Sequence, residues 1–254
     1  MESIRAALLD LQGVLYSDGV PIDGARDAVA ALAAGGIATR FVTNTTTRPR
    51  REIAERMIGM GFEIAANRVF SPAVAAAGVL REAGCSRVML VAEASLAEDF
   101  AGFEFVDDNP DAVIMGDLHE NFDWQCLNRI FDAVRNGAKL IALHRNRYCK
   151  RGDVIALDLG PFVAAIEYAA NVEARVVGKP ESAFFAWALR DIGSTPAEAV
   201  MVGDDPFSDI DGAAGAGLHT VQVKTGKYIA GEQGKHVPDA VIDSVADLPA
   251  LLGV

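Results

Sequence analysis

The chain has 254 residues, 51% of them hydrophobic, and 23 Lys+Arg against 35 Asp+Glu give a formal charge of −12 at pH 7. A chain this acidic is repelled by nucleic-acid backbones and anionic bilayers, and its apolar content excludes general disorder. No stretch approaches the roughly 18 apolar residues of a membrane span, so a soluble, cytoplasmic protein of one large or two modest domains is expected, with neither nucleic acid nor membrane as partner.

Short β-branched and Leu-rich runs alternate with Ala-rich segments of helical period, which is the pattern of strands joined by crossover helices, so the fold class is α/β with a parallel sheet. Ala6 to Leu11 reads as the first strand. Ala25, Ala28, Val29 and Leu32 then share one helix face, Gly35-Gly36 stops that helix, and Ile37 to Val42 is the next strand. Pro49 opens a helix through Met60. From roughly Ser71 to Arg175 the chain has an alternation of its own. It reads as a helix from Pro72, strands Val88 to Val91 and Ala112 to Met115, a helix Asp123 to Arg135, a strand Leu140 to Leu143 and a helix Phe162 to Ala170. That is long enough for an inserted second domain. The first pattern resumes with a helix Ala183 to Ile192, a strand Ala199 to Val202, a helix Ile210 to Ala216 and a strand His219 to Val223. The two ends of the chain are therefore expected to be halves of one sheet.

Three cysteines (Cys85, Cys126, Cys149) and four histidines (His119, His144, His219, His236) stand at wide spacings without C-x-x-C or H-x-x-x-H pairs. A disulfide framework and a thiolate zinc site are not indicated, and any metal is expected to be held by oxygen.

Polar groups recur where the strands end. Asp10 follows an apolar strand and precedes Gly13, so its carboxylate belongs at the carboxyl rim where open parallel sheets bind ligands; alone, the signal is weak and reads more readily as a turn-capping Asp. Thr43-Asn44 follows the second strand with a hydroxyl and an amide able to hold phosphate oxygens, or to cap the next helix. Gly178-Lys179-Pro180 puts a cation at a loop tip, which by itself would be a solvated charge. Gly203-Asp204-Asp205 adds two carboxylates, with Asp209 and Asp211 soon after, and carboxylates this close repel unless a cation such as Mg²⁺ sits among them. Asp205 alone is also explained by a helix N-terminus. Gathered by one sheet, the order Asp, Thr, Lys, Asp-Asp makes a phosphoryl-transfer device. A carboxylate attacks phosphorus, a dication cancels the repulsion of two anions, and Thr and Lys hold the equatorial oxygens.

The stretches LLDLQGVLY, FVTNTTT, RYCKRG, LDLGPFVAAIEYA, VVGKPESAFF, VMVGDD and VKTGKY resemble the haloacid dehalogenase-like superfamily of aspartyl-phosphate phosphatases, in the branch with a large C2-type α/β cap inserted between the second and third motifs. The resemblance runs essentially end to end. It implies a Rossmann-like core of residues 1–70 and 177–254 and a cap of residues 71–176. It also implies Asp10 as nucleophile and magnesium ligand, the main-chain carbonyl of Gln12 and the carboxylate of Asp204 as further ligands, and Asp205 and Asp209 orienting the metal's waters. Thr43 and Asn44 would contact phosphate, and Lys179 would pair with Asp10 and the phosphoryl oxygens.

The family usually reads D-x-D at the first motif, whereas this chain reads Asp10-Leu11-Gln12. The missing second Asp ordinarily protonates the leaving group, and an amide cannot exchange that proton. Slow turnover of alkyl phosphates is expected, with aryl phosphates, pyrophosphate or a protonated phosphoramidate nitrogen relatively favoured. Three functions remain in competition: the Mg²⁺-dependent phosphohydrolase of a small phosphorylated compound, a weakened phospho-ligand or protein-binding module, and a carbon–halogen hydrolase, which the Asp204-Asp205 pair disfavours. In the inserted segment, Arg145, Arg147, Lys150 and Arg151 form a basic run that either binds an anionic part of the substrate or is a solvated turn, and Gly160-Pro161 is either a substrate-facing loop or a helix start. A homodimer is the one protein partnership the resemblance leaves open.

Overall fold

The computed structural model describes residues 4–151 and 154–254; the side chains of Lys150 and Arg151, half of the basic run, lie outside that description. In chain order the strands are β1 (Ala6–Asp10), β2 (Tyr16–Ser17), β3 (Val20–Pro21), β4 (Ala38–Val42), β5 (Val69–Phe70), β6 (Arg87–Val91), β7 (Glu104–Phe105), β8 (Ala112–Met115), β9 (Lys139–Ala142), β10 (Tyr148–Arg151), β11 (Val154–Leu157), β12 (Arg175–Val176), β13 (Ala199–Gly203), β14 (His219–Val223) and β15 (Ala240–Ile242). The helices are α1 (Ala25–Ala34), α2 (Arg50–Gly59), α3 (Pro72–Glu82), α4 (Trp124–Arg135), α5 (Leu159–Ala170), α6 (Ser182–Arg190), α7 (Gly212–Gly215) and α8 (Leu248–Leu252). None of the described helices is long and apolar enough to cross a membrane.

The chain divides into two compact units. One comprises Met1–Thr43, Arg50–Phe70 and Lys179–Val254, the other Asn44–Pro49 and Ser71–Gly178. The first unit is built on a parallel sheet of order β15-β14-β13-β1-β4-β5. Both chain ends contribute to it, so the sheet order reverses between β1 and β13. In an open α/β sheet that reversal leaves a crevice at the carboxyl ends of the two strands. β1, with sequence AALLD, is buried at every residue because helices cover both faces of the sheet. Ala25, Ala28, Val29 and Leu32 are the buried face of α1, and they pack with Leu9, Phe41 and Val202 in one core. On the sheet's other face Phe184 of α6 meets Phe70 edge to face at 5.1 Å. Burying each such ring contributes about 1.5–3 kcal/mol.

The second unit has its own parallel sheet, of order β12-β9-β8-β6-β7. On α4 the buried residues Cys126, Ile130, Ala133 and Val134 repeat at helical spacing and join a core with Val113, Leu140 and Val163. Ser71 caps α3 by accepting the Val74 N–H, and Asp123 caps α4 by accepting the Cys126 N–H at 2.7 Å. Asp158 caps α5, so Gly160-Pro161 lies inside the first turn of that helix. The antiparallel pair β10–β11 occupies the stretch read from sequence as a basic loop.

Candidate active site

Asp10 is the last residue of β1 and Asp204 directly follows β13, so both stand at the rim where the sheet order reverses. β1 runs in register with β4, Asp10 opposite Val42, and Thr43 leaves the sheet one residue further on. Thr43 is buried, and its N–H donates to the Phe70 carbonyl at 3.1 Å. After β13 a turn of π-helix, Pro206–Asp211, carries Asp209 back toward the rim. Asp205 caps that turn by accepting the N–H groups of Phe207 and Ser208 at 2.9 and 3.0 Å.

Lys179 lies between two of these carboxylates. Its Nζ donates to Asp10 Oδ1 and to Asp209 Oδ1, both at 2.6 Å, and all three side chains are buried. One carboxylate oxygen each from Asp10, Asp204 and Asp209 lie within 4.8 Å of one another. Three carboxylates around one ammonium leave two negative charges in excess, in surroundings that solvate charge poorly. The titration of the group reflects this. Burial pushes the Asp10 carboxyl up to about 7, with Lys179 opposing the rise and Asp209 adding to it. Burial raises Asp204 as well. For Lys179 burial favours the neutral amine, but Asp10 and Asp209 outweigh it, so its pKa is raised and the ammonium stays charged.

Removing that ammonium has a calculable consequence. Lys179→Met strands two buried carboxylates, and breaking a buried pair from one side costs about 3–5 kcal/mol. Urea unfolding at pH 8 in EDTA is expected to show a loss of that size, and an unchanged midpoint would mean the lysine is not their counter-charge.

The backbone closes on Asp204 from two loops. Gly13 and Gly226 both have positive φ, +88° and +64°, and a Cβ on either would overlap the Asp204 carboxylate, so these two turns require glycine. Thr225 Oγ1 donates to the Gly13 carbonyl, and the Lys227 N–H donates to Asp204 Oδ2 at 2.8 Å. Lys227 Nζ donates to Asp205 Oδ2 at 3.0 Å. Burial alone would raise Asp205, but the N–H groups of its turn and Lys227 outweigh it and hold the carboxyl low. Thr225, Gly226 and Lys227 belong to the VKTGKY stretch, where sequence reasoning assigned no role. A Gly-Lys pair just beyond a strand end was the available signal.

The side chain of Gln12 is exposed, and its main chain bridges to Tyr16. Two candidates belong to the second unit. Asn44 begins the segment Asn44–Pro49 that joins it, and Arg145 is ion-paired to Glu167 at 2.6 Å.

The donor set of the first unit suits a hard divalent ion. It consists of carboxylate oxygens with uncompensated negative charge, and no soft ligand is among them. The other group of ligand-type atoms, Asp117, His144 and Asp158 in the second unit, is of a different kind. There His144 Nδ1 accepts the Asn146 N–H at 3.2 Å, which keeps the ring proton on Nε2 facing the carboxylates. A metal-bound imidazole would need that proton on Nδ1.

A parallel sheet carrying carboxylates and a buried lysine at its switch point, in a chain interrupted by a second α/β unit, defines a two-unit α/β protein with an oxygen-ligand centre at the sheet rim. Residues 7–106 match the family model described as haloacid dehalogenase-like hydrolase, and residues 176–248 match the HAD-hydrolase-like model. The chain is 42% identical over 236 residues to mouse haloacid dehalogenase-like hydrolase domain-containing protein 2, covering 93% of this chain and 90% of that one. To the phospholysine phosphohistidine inorganic pyrophosphate phosphatase of Xenopus laevis it is 40% identical, covering 94% and 90%. The p-nitrophenyl phosphatase from Archaeoglobus fulgidus superposes with a TM-score of 0.91 at 26% identity, over 98% of this chain and all of that one. The chain belongs to the haloacid dehalogenase-like hydrolases and is an enzyme of that family.

Proposed function

We propose that this hydrolase is a Mg²⁺-dependent phosphatase that passes through an aspartyl-phosphate on Asp10, acting on a small phosphorylated compound in the cytoplasm. The observation that carries the reading is the buried Asp10 held 2.6 Å from Lys179 beside Asp204 and Asp209. Residues 1–70 and 177–254 form the catalytic domain and residues 71–176 the C2-type cap. Asp10, the main-chain carbonyl of Gln12 and Asp204 would hold the ion, and Asp205 and Asp209 would orient its waters. When bound, Mg²⁺ supplies the positive charge that lets an anionic carboxylate approach an anionic phosphoryl group.

A carboxylate oxygen of Asp10 forms the new bond to phosphorus as the bond to the leaving oxygen or nitrogen breaks. Water then cleaves the acyl phosphate and regenerates the carboxylate. Lys179 fixes the Asp10 rotamer and neutralises the phosphoryl oxygens in flight, while the Thr43 hydroxyl and the Asn44 amide hold the remaining oxygens. Arg145 is the cap residue offered to the anionic part of the substrate. Gln12 holds no titratable proton, so leaving groups that need no proton from the enzyme are favoured, either because the departing oxygen is already a weak base or because a phosphoramidate nitrogen is protonated before the P–N bond breaks. Phosphoramidates and pyrophosphate, the compounds in the name of the Xenopus relative, belong to that class.

The test is release of 4-nitrophenol from 4-nitrophenyl phosphate. It is expected to need Mg²⁺ and to stop in EDTA. The rate should fall on the acid side as Asp10, drawn up to about 7 without the ion, takes up a proton, and the acid limb should move to lower pH as Mg²⁺ is raised, because proton and dication compete for the same oxygens. No turnover from about pH 5 to 9, together with no trapping of beryllofluoride, refutes the reading.

A further inference from the structure

The second unit holds a buried polar cluster that the chemistry above leaves unused. Thr46 and His144 are each 2% exposed, and Asp117 and Asp158 are each 9% exposed. They come from four separate places in the chain: the segment Asn44–Pro49, the end of β8, the end of β9 and the cap of α5. Asp117 is the hub. The Thr46 hydroxyl donates to its Oδ2, and His144 Nε2 lies 3.2 Å from both of its oxygens. Because a backbone N–H can only donate, the Asn146 contact makes Nδ1 an acceptor, and Nε2 therefore carries the hydrogen that points at Asp117. Asp158 Oδ1 is 3.8 Å from the same Nε2 and accepts the Leu159 N–H at 2.9 Å.

Around this hub the loop after β9 is stitched to α5. Gly160 N–H donates to the Asn146 carbonyl at 2.9 Å, and Asp158 N–H donates to the Arg147 carbonyl at 3.3 Å. A Cβ on Gly160 would come within 2.7 Å of the carbonyls of Arg145 and Asn146, so the loop lies directly on the helix start. Burial would raise Asp117, but its donors outweigh burial and hold it low as a carboxylate, while burial raises Asp158. A buried carboxylate whose accepting capacity is spent on separate segments acts as a fastener, since each donor that leaves strands a charge.

We infer that Asp117 is a positioning residue: through Thr46 it sets the conformation of the segment that presents Asn44, and through His144 it sets the loop that presents Arg145. This rests on the proposed function, in which Asn44 holds phosphoryl oxygens. Asp117, outside the proposed catalytic domain, thereby governs affinity for the phosphate group through the hydrogen bond it accepts from Thr46.

The experiment uses Asp117→Asn, which keeps the shape of the side chain but removes its negative charge and one of the two oxygens that accept from Thr46 and His144. The KM for 4-nitrophenyl phosphate and the inhibition constant of inorganic phosphate are both expected to rise about 10-fold, with kcat changing much less. Thr46→Val should raise the same two constants, Thr46→Ser should stay near wild type, and the double variant Thr46→Val/Asp117→Asn should fall short of the product of the two single effects, since both act on the Thr46–Asp117 contact. Amide hydrogen exchange at residues 44–46 reports the anchoring without reference to turnover and should accelerate in Asp117→Asn. Folded variants with unchanged KM and phosphate inhibition overturn the inference, as do effects of Thr46→Val and Asp117→Asn that multiply. If wild-type protein neither turns over the substrate nor binds phosphate, the hydrolase reading fails instead; unchanged exchange at residues 44–46 in Asp117→Asn then overturns the anchoring separately.

Discussion

Asp10→Asn is expected to leave hydrolysis of 4-nitrophenyl phosphate at no more than about 10⁻⁴ of the wild-type rate, the scale of loss when a nucleophile is removed. The amide has the shape of the carboxylate but cannot form an acyl phosphate. What makes the test clean is the charge balance of the site. Lys179 keeps its second partner, Asp209, at 2.6 Å, and the substitution removes one of three carboxylates that crowd a single ammonium. Burial already drives Asp10 up to about 7, so at pH 8 in EDTA the folded state carries an ionised group it holds poorly. The sign follows from linkage. A carboxyl whose folded pKa lies above its unfolded value costs stability increasingly as pH rises between the two values. Asp10→Asn should therefore raise Tm in EDTA at pH 8, where Lys179→Met lowers stability. Retention of a tenth or more of the activity in a homogeneous Asp10→Asn preparation would exclude the nucleophile role.

Gln12→Asp is expected to act in the opposite direction and only on some substrates. General acid–base help is worth roughly 10²–10⁴ in rate, so hydrolysis of an alkyl phosphate such as glycerol phosphate should rise within that range. 4-Nitrophenyl phosphate, whose leaving oxygen needs no proton, should change little. The ratio of the two rates is the measurement, because it cancels any effect on folding or ion binding common to both. Gln12 is solvent-exposed, so the new carboxyl meets no steric barrier. A gain from a wild-type rate near zero on every substrate would favour the alternative in which the protein is a phospho-ligand binding module. Substantial wild-type turnover with a selective gain on alkyl phosphates supports an enzyme adapted to good leaving groups.

Most of the regular structure was legible from period alone. Ala25, Ala28, Val29 and Leu32 form the buried face of α1, and the strands Ala112–Met115 and His219–Val223 lie where alternation and β-branching put them. Elements with little apolar signal were not legible. β5 and β7 are two residues long, and β15 borders its sheet with half-exposed side chains, whereas β12 starts one residue before the strand read at Val176-Val177. The π-helical turn Pro206–Asp211 precedes α7, where a helix from Ile210 was expected, because Asp205 spends its carboxylate on the N–H groups of that turn. β10 carries Lys150 and Arg151 of the basic run, whose charge reads as loop although its backbone pairs with β11 as strand.

The identity of the chemical groups, and their order along the chain, follow from the one-dimensional pattern. Strand ends are marked by a change from apolar to polar residues, so Asp10, Thr43 and Asp204 announce themselves wherever a buried strand runs into solvent. Which of these groups touch is a matter of three dimensions. Lys179 meets Asp10 across 169 positions and Asp209 across 30; Gly226 closes on Asp204 beside Gly13; Asp117 gathers Thr46 from 71 residues away. Contacts at such separations leave no local period to read, since they depend on sheet order and loop path and their energy comes from charges that only the folded chain removes from water.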